Sequence, residues 1–343
     1  MNYWLLSLSV LITSFMLTVL LRRYAIARSL MDVPNQRSSH TVATPRGGGV
    51  AIVVSFLLVL PVANLLGLVS NEMLVGSLGA SGLVALIGFL DDHGHVAARW
   101  RLLGHFTAAA WGLYWLSSAP QLLLFGEVYD LSLLGYVLGA FYIVWTLNLY
   151  NFMDGIDGLA SLQAITTCVG ASVLYLGAGL PNLVWGPVLL ALAVAGFLFW
   201  NFPPARIFMG DAGSGFLGIQ LALLSLYGMT ESPVLLWAWI ILMGCFIVDA
   251  TFTLGRRLLR REKVYEAHRS HAYQYASRFY GRHLPVTLAV TAINLFWLLP
   301  VSALVVFGGL DGLLGVIIAY LPLVLLAIRF KAGQKEQPSP VAN

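Results

Sequence analysis

Uninterrupted apolar runs, each near the roughly 20 residues that cross a hydrocarbon core, alternate along this chain with short polar segments. The runs fall at about 3–21, 47–69, 73–90, 102–119, 132–150, 158–178, 183–200, 214–229, 233–254, 284–306 and 312–330. Each predicts a helix, because backbone polar groups in lipid must be satisfied within their own segment. The pattern therefore predicts an all-α, polytopic integral membrane protein of about 11 transmembrane helices, the run at 214–229 being the shortest. Residues 1–330 form one transmembrane domain in this reading, and the polar tail 331–343, with two prolines, is expected to be disordered.

An odd number of spans puts the termini on opposite sides, and the charges select the side. With the N-terminus outside, all 19 Lys and Arg fall in or beside inward loops and the C-terminal tail. The outward loops then carry only acids: Glu72, Glu127, Asp130, Glu231 and Asp311. The first run lacks a basic start and is followed by Arg22-Arg23 instead of a small-residue cleavage site, so it reads as an uncleaved span. Composition agrees with lipid as the solvent, at 59% hydrophobic and 10% charged. The net charge of +4 reports topology, and no nucleic-acid partner is implied. Cys168 and Cys245 lie inside apolar runs and offer neither a disulfide framework nor a Cys-rich metal site.

Four inward segments hold more polar residues than anchoring needs. Asp91-Asp92 follow directly on LVALIGFL. A carboxylate at mid-bilayer costs roughly 2.5–3.5 kcal/mol, so the pair belongs at the interface, either as a solvated turn or as part of a site. The segment NLYNFMDGIDGLA, from Asn148 to Ala160, closes the fifth span and opens the sixth. Asp154 and Asp157 share a face if the helix has begun, and Asp is also a common helix cap. Two Asp, two Gly and Asn151 together exceed what capping requires.

The third segment, FMGDAGSGFLG, sets Asp211 between glycines at the mouth of the eighth span. No strand precedes it and no GK[ST] follows, so it is not a nucleotide P-loop. One carboxylate in a Gly-rich turn suits a Mg²⁺ ion that keeps several waters and binds substrate phosphates. Gly215 and Gly218 read instead as close helix packing. In the fourth, from Arg256 to His283, His268 and His271 stand three apart within HRSHAYQ. Zinc would require a third ligand; neutralising or hydrogen-bonding a diphosphate, with Arg269 and Arg278, fits better. Arg256, Arg257, Arg260 and Arg261 read as a basic juxtamembrane helix.

The first inner loop, DVPNQRSSHTVATPRGGG, adds Asp32, Arg37, His40 and Arg46 as candidate substrate contacts, with Pro34 and Pro45 holding it extended. Asp249, inside the ninth span, requires a partner and is read as a structural pair. Carboxylates, histidines and arginines distant in sequence but gathered on one face suit a divalent metal and phosphate groups. A transporter for lipid-linked sugars would instead want charges near the midplane and broken, repeated helices.

The order DVPNxRxxH, PRGGG, GFLDD, NxxNFMDGIDGLA, NFPPARIFMGDAGS and a histidine loop, from about 31 to 283, resembles the polyprenyl-phosphate N-acetylhexosamine-1-phosphate transferases. That resemblance implies transfer of an aminosugar-1-phosphate from a UDP-N-acetylaminosugar to undecaprenyl phosphate, with Mg²⁺ (or Mn²⁺ as a substitute) and release of UMP. It places the chain in a bacterial inner membrane with its active site facing the cytosol, in contact with membrane lipid and compatible with a homodimer. Asp91 and Asp92 match the family's aspartate pair and are expected to act on the lipid phosphate. Asp211 matches its metal-binding aspartate, and Asn151, Asp154 and Asp157 match the motif around nucleotide and metal, with Asp154 a second metal ligand. Arg46, Asn201 and Arg269 are expected substrate contacts. His268 and His271 match the ends of a catalytic histidine motif that often reads HxHH where this chain has HRSH. Eleven spans and the HRSHAYQ loop resemble the O-antigen-initiating members more than the lipid I-forming peptidoglycan translocase.

Overall fold

The computed structural model describes residues 3–34, 39–94, 96–262 and 268–334. Arg37 and most of the tail expected to be disordered, 335–343, lie outside the described residues. The helices are α1 (Tyr3–Ala27), α2 (Val50–Leu65), α3 (Asn71–His93), α4 (Ala98–Tyr114), α5 (Ser132–Met153), α6 (Leu159–Gly177) and α7 (Trp185–Asn201). They continue with α8 (Asp211–Glu231), α9 (Val234–Leu242), α10 (Gly244–Leu259), α11 (Ala272–Tyr280), α12 (Leu284–Ile293), α13 (Leu299–Phe307) and α14 (Gly312–Arg329). Two short antiparallel hairpins complete the fold: β1 (Met31–Asp32) with β2 (Thr44–Pro45), and β3 (Gln121–Leu124) with β4 (Glu127–Asp130).

Helix occupies every apolar run in the sequence, so the all-α, many-span character is as the pattern predicts. Among the described residues 8 helices are long and apolar enough to cross a membrane, or up to 9 if α9 and α10, bent by 72° at Met243, form one broken span. The difference from eleven lies in α2, apolar but only 16 residues long, and α4, 17 residues carrying Arg99 and Arg101. The segments α12 and α13 join through a π-helical turn, Asn294–Leu298, into one span of 24 residues.

The shortest predicted run becomes the centre of the bundle. Helix α8 packs against α2, α3, α5, α6 and α9, and its spanning window is 100% buried. It therefore needs no lipid-facing apolar stripe, and its polar residues find partners inside the protein. Gln220 accepts from Ser81 Oγ at 2.7 Å and donates to Ser77 Oγ at 3.1 Å, while Tyr142 meets Ser225 at 2.8 Å. Small residues let neighbours approach closely: a Cβ on Gly218 would lie 2.6 Å from Leu147 Cα, in line with the packing reading of that glycine.

Candidate active site

Three distant motifs are knitted together at the start of α8. The PRGGG segment pairs with the strand-like stretch before that helix: Phe208 N–H donates to Pro45 O (2.8 Å), Gly48 N–H to Phe208 O (2.9 Å) and Gly49 N–H to Met209 O (2.8 Å). The end of α3 reaches the same point because Gly88 has no side chain; a Cβ there would sit 2.5 Å from Asp211 O. Asp92 then accepts the N–H groups of Asp211 (3.1 Å) and Ala212 (3.2 Å), satisfying donors that the first turn of a helix leaves free. Gly210, at φ 79°, supplies the left-handed turn beside that carboxylate.

Asp92 thus offers no open carboxylate: it is 7% exposed, with both oxygens on the α8 N-terminus and its carbonyl taken by the Arg46 guanidinium. Its neighbour Asp91 accepts Val96 N–H at 2.9 Å and the Arg101 guanidinium, which also stands 3.8 Å from Asp211 Oδ2. Asn151 Nδ2 donates to Asp211 Oδ1 and to Ser214 Oγ, both at 3.1 Å.

The Asp154 and Asp157 segment departs from the helical expectation. Helix α5 ends at Met153 and α6 starts at Leu159, so the two acids occupy a turn and share no helix face. Asp157 is a strut: its carboxylate pairs with His283 Nδ1 at 3.1 Å and accepts Ala205 N–H at 3.0 Å. Burial lowers the affinity of His283 for a proton, but Asp157 outweighs it and holds the imidazole above its ordinary pKa of 6.5. By contrast, the Asp154 carboxylate has no hydrogen-bond partner among the described residues. Burial, followed by the charges of Asp211, Asp92 and Asp157, pushes it up from 3.8 to about 7. The acids raise one another's proton affinity in this way, and among the described residues no group of three or more His, Cys, Asp or Glu stands close enough together to hold a metal ion by itself.

Two spaces meet at these residues. A polar cleft of about 280 Å³ is lined by Asp154, Asp157, Asp211, Arg46, His40 and Gln274, among others. A second groove, of about 200 Å³, lies on the far side of Asp211 between α3, α4 and α5. There Asp91, Arg101 and His105 face Val84, Ile87, Leu102, Leu147 and Phe152. Asn151 and Asp211 line both.

Four expected site residues are placed differently. Asn201 is 3% exposed and fully used: Oδ1 accepts Gly158 N–H (3.0 Å) and Ser161 Oγ (3.3 Å), while Nδ2 donates to Ile207 O (3.0 Å). His271, 2% exposed, pairs with Asp249 Oδ1 at 3.3 Å. The Asp249 carboxylate also caps α11 through Ala272 and Tyr273 N–H, which is the structural pairing expected of it. Stacked on His271, His268 is pushed down to about 3, by burial first and then by His271 and Arg257. A neutral imidazole cannot balance a diphosphate's charge, and neither histidine lines the polar cleft. Arg269 is likewise outside the cleft lining; its carbonyl accepts from Arg278 at 3.2 Å. His283, Gln274, Arg101 and Ser214 were not singled out by sequence as site residues. Arg101, Ser214 and His283 lie at or beside the end of a span, where a polar residue reads as an anchor, and Gln274 sits on α11 within the basic loop.

A bundle of membrane helices with a carboxylate-lined cleft at one end is the class that fold and site define. Residues 74–229 match the family described as glycosyl transferase family 4. The chain is 29% identical over 304 residues to the probable undecaprenyl-phosphate N-acetylglucosaminyl 1-phosphate transferase of Bacillus subtilis (strain 168), covering 86% of this chain and 82% of that protein. It is 28% identical to the undecaprenyl-phosphate alpha-N-acetylglucosaminyl 1-phosphate transferase of Thermotoga maritima, covering 85% and 88%. With the phospho-N-acetylmuramoyl-pentapeptide-transferase of Moorella thermoacetica it shares 32% over 240 residues, 65% of this chain and 74% of that one. The chain belongs to the polyprenyl-phosphate N-acetylhexosamine-1-phosphate transferase family.

Proposed function

We propose that this protein transfers an N-acetylaminosugar-1-phosphate from a UDP-sugar to undecaprenyl phosphate and releases UMP, the first membrane step of O-antigen or a related cell-surface polysaccharide. The observation that carries the reading is the shared wall: Asp211 and Asn151 stand between a polar cleft and a half-apolar groove. A polar nucleotide-sugar suits the first and a phosphate on an apolar tail suits the second, so the two phosphates would meet at Asp211. The chain would cross an inner membrane eleven times, N-terminus outside and C-terminus in the cytosol, with the cleft facing the cytosol. Its acid-only outer connections support that orientation.

In a single displacement a phosphate oxygen of the acceptor forms a bond to the sugar-bearing phosphorus. The bond from that phosphorus to the UMP oxygen breaks, and UMP leaves with the electron pair. Mg²⁺, held by Asp211 and Asp154, would neutralise charge on the diphosphate. Asn151 holds Asp211 in place, and Asp92 fixes the turn from which Asp211 projects. Asp91 holds Arg101 at the junction of the two spaces. A phosphomonoester has its second pKa near 6, so the acceptor is largely dianionic at neutral pH and Asp91 need not remove a proton. Positioning and charge neutralisation carry the catalysis.

Purified protein should make lipid-linked sugar phosphate and UMP in equal amounts when UDP-sugars are assayed with undecaprenyl phosphate, UDP-N-acetylglucosamine being the expected donor. Sugar flux across vesicles without UMP would point to a transporter instead. The Moorella relative supports a second reading, a lipid I-forming translocase, which predicts that UDP-N-acetylmuramoyl-pentapeptide is the preferred donor.

A further inference from the structure

Among the polar side chains of the half-apolar groove, one has no hydrogen-bond partner among the described residues. His105 lies on α4 one turn after Arg101, on the same helix face. It is 9% exposed, and its Nδ1 is buried with no hydrogen-bond partner among the described residues. A buried donor or acceptor left unpaired costs about 1–3 kcal/mol, so an unpaired imidazole in a lined groove calls for a partner that the protein does not supply. Helical side chains lean toward the N-terminus of their helix, which for α4 is the Arg101 end, where Arg101 joins Asp91 and approaches Asp211. A ring flip exchanges Nδ1 with Cδ2 and Nε2 with Cε1, so which edge of the ring carries the nitrogen toward the groove is set by the partner available there.

We propose that His105 is an acceptor-binding residue, donating an N–H hydrogen bond to the phosphate of the polyprenyl phosphate where that phosphate meets Arg101. The inference rests on the transferase reading above and adds a residue to it. Two features assign the ligand to the acceptor instead of the donor diphosphate. His105 lines the groove and not the polar cleft. The groove's remaining lining is largely apolar, with Leu102 47% and Phe152 37% exposed on the outer surface of the bundle, as a tail-bearing phosphate requires.

The test compares the full-length wild-type protein with H105F and H105L, which remove both nitrogens, and H105Q, which restores an N–H donor. KM is measured separately for undecaprenyl phosphate and for the UDP-sugar, with Mg²⁺ present. The expected result for H105F and H105L is a rise of about tenfold in the lipid KM, with the UDP-sugar KM within about twofold of wild type. H105Q recovers most of the lipid KM. Unchanged lipid KM in both apolar variants, or both KM values moving together with no rescue by H105Q, overturns the assignment and leaves the transferase reading intact. A wild-type protein that releases no UMP in the presence of lipid acceptor overturns both.

Discussion

Asp154→Asn should leave the metal-free protein more stable and enzymatically inactive. The carboxyl rises from 3.8 to about 7 on folding, under burial and the charges of Asp211, Asp92 and Asp157. About three pH units at 1.36 kcal/mol each amounts to a penalty on the order of 4 kcal/mol. Its sign is unfavourable because the folded protein takes up a proton that the unfolded chain has released. The penalty is absent below about pH 4, grows as the pH rises and levels off above about pH 7. Asparagine cannot ionise and escapes it. Thermal unfolding in detergent with EDTA, between about pH 5 and about pH 8, should show the variant pulling ahead of wild type as pH rises. At roughly 2 °C per kcal/mol the gap at the upper end is several degrees. Excess Mg²⁺ should narrow it by stabilising the protein that binds the ion better. A variant no more stable than wild type at about pH 8 in EDTA, or a gap that ignores pH, would refute the reasoning.

The Asp157–His283 pair strengthens the fold fully below about pH 6.5 and loses that contribution as pH climbs through the raised imidazole pKa. His283→Gln should cost about 1–3 kcal/mol near pH 6, and equal pH profiles for wild type and variant would contradict the pairing. Gly88→Ala forces a methyl to within 2.5 Å of the Asp211 carbonyl, so α3 and α8 must part. Overpacking of about 1–3 kcal/mol is expected, with kcat down by about 100-fold as Asp211 shifts; unaltered turnover would show that Asp211 placement matters little. Asn201→Ala removes three hydrogen bonds and should lower the melting temperature more than it raises the UDP-sugar KM. A raised KM at unchanged melting temperature would mean that Asn201 touches substrate after all.

Apolar runs made the helices legible because lipid leaves the backbone few alternatives. What they could not convey is which helix lies at the centre. Helix α8 reads as the poorest span because its polar residues, Gln220 and Ser225, are matched by Ser81, Ser77 and Tyr142 on other helices. The acids of the site stood out one by one, yet their division of labour depends on partners remote in sequence. Asp92 turned out to cap α8 across 119 residues, and Asp157 to pair with His283 across 126. Asp154 remains the open carboxylate, and nothing in DGIDG distinguishes it from Asp157. Likewise HRSH looks like a site in sequence, whereas the fold spends His271 on Asp249, an acid read beforehand only as needing some partner. Arg101 went unremarked as a site residue because an arginine at the end of a span already has an explanation in topology, and His105 because it lies inside the apolar run 102–119.

The central claim is that two substrates meet at Asp211, and UMP release from a UDP-N-acetylaminosugar by the purified protein tests it most directly. UMP should appear only with undecaprenyl phosphate and Mg²⁺ both present, in step with lipid-linked product, and should fall to background in Asp211→Asn. UMP formed or exchanged without the lipid would contradict a single meeting of the two phosphates, and wild-type turnover by Asp211→Asn would contradict the site itself.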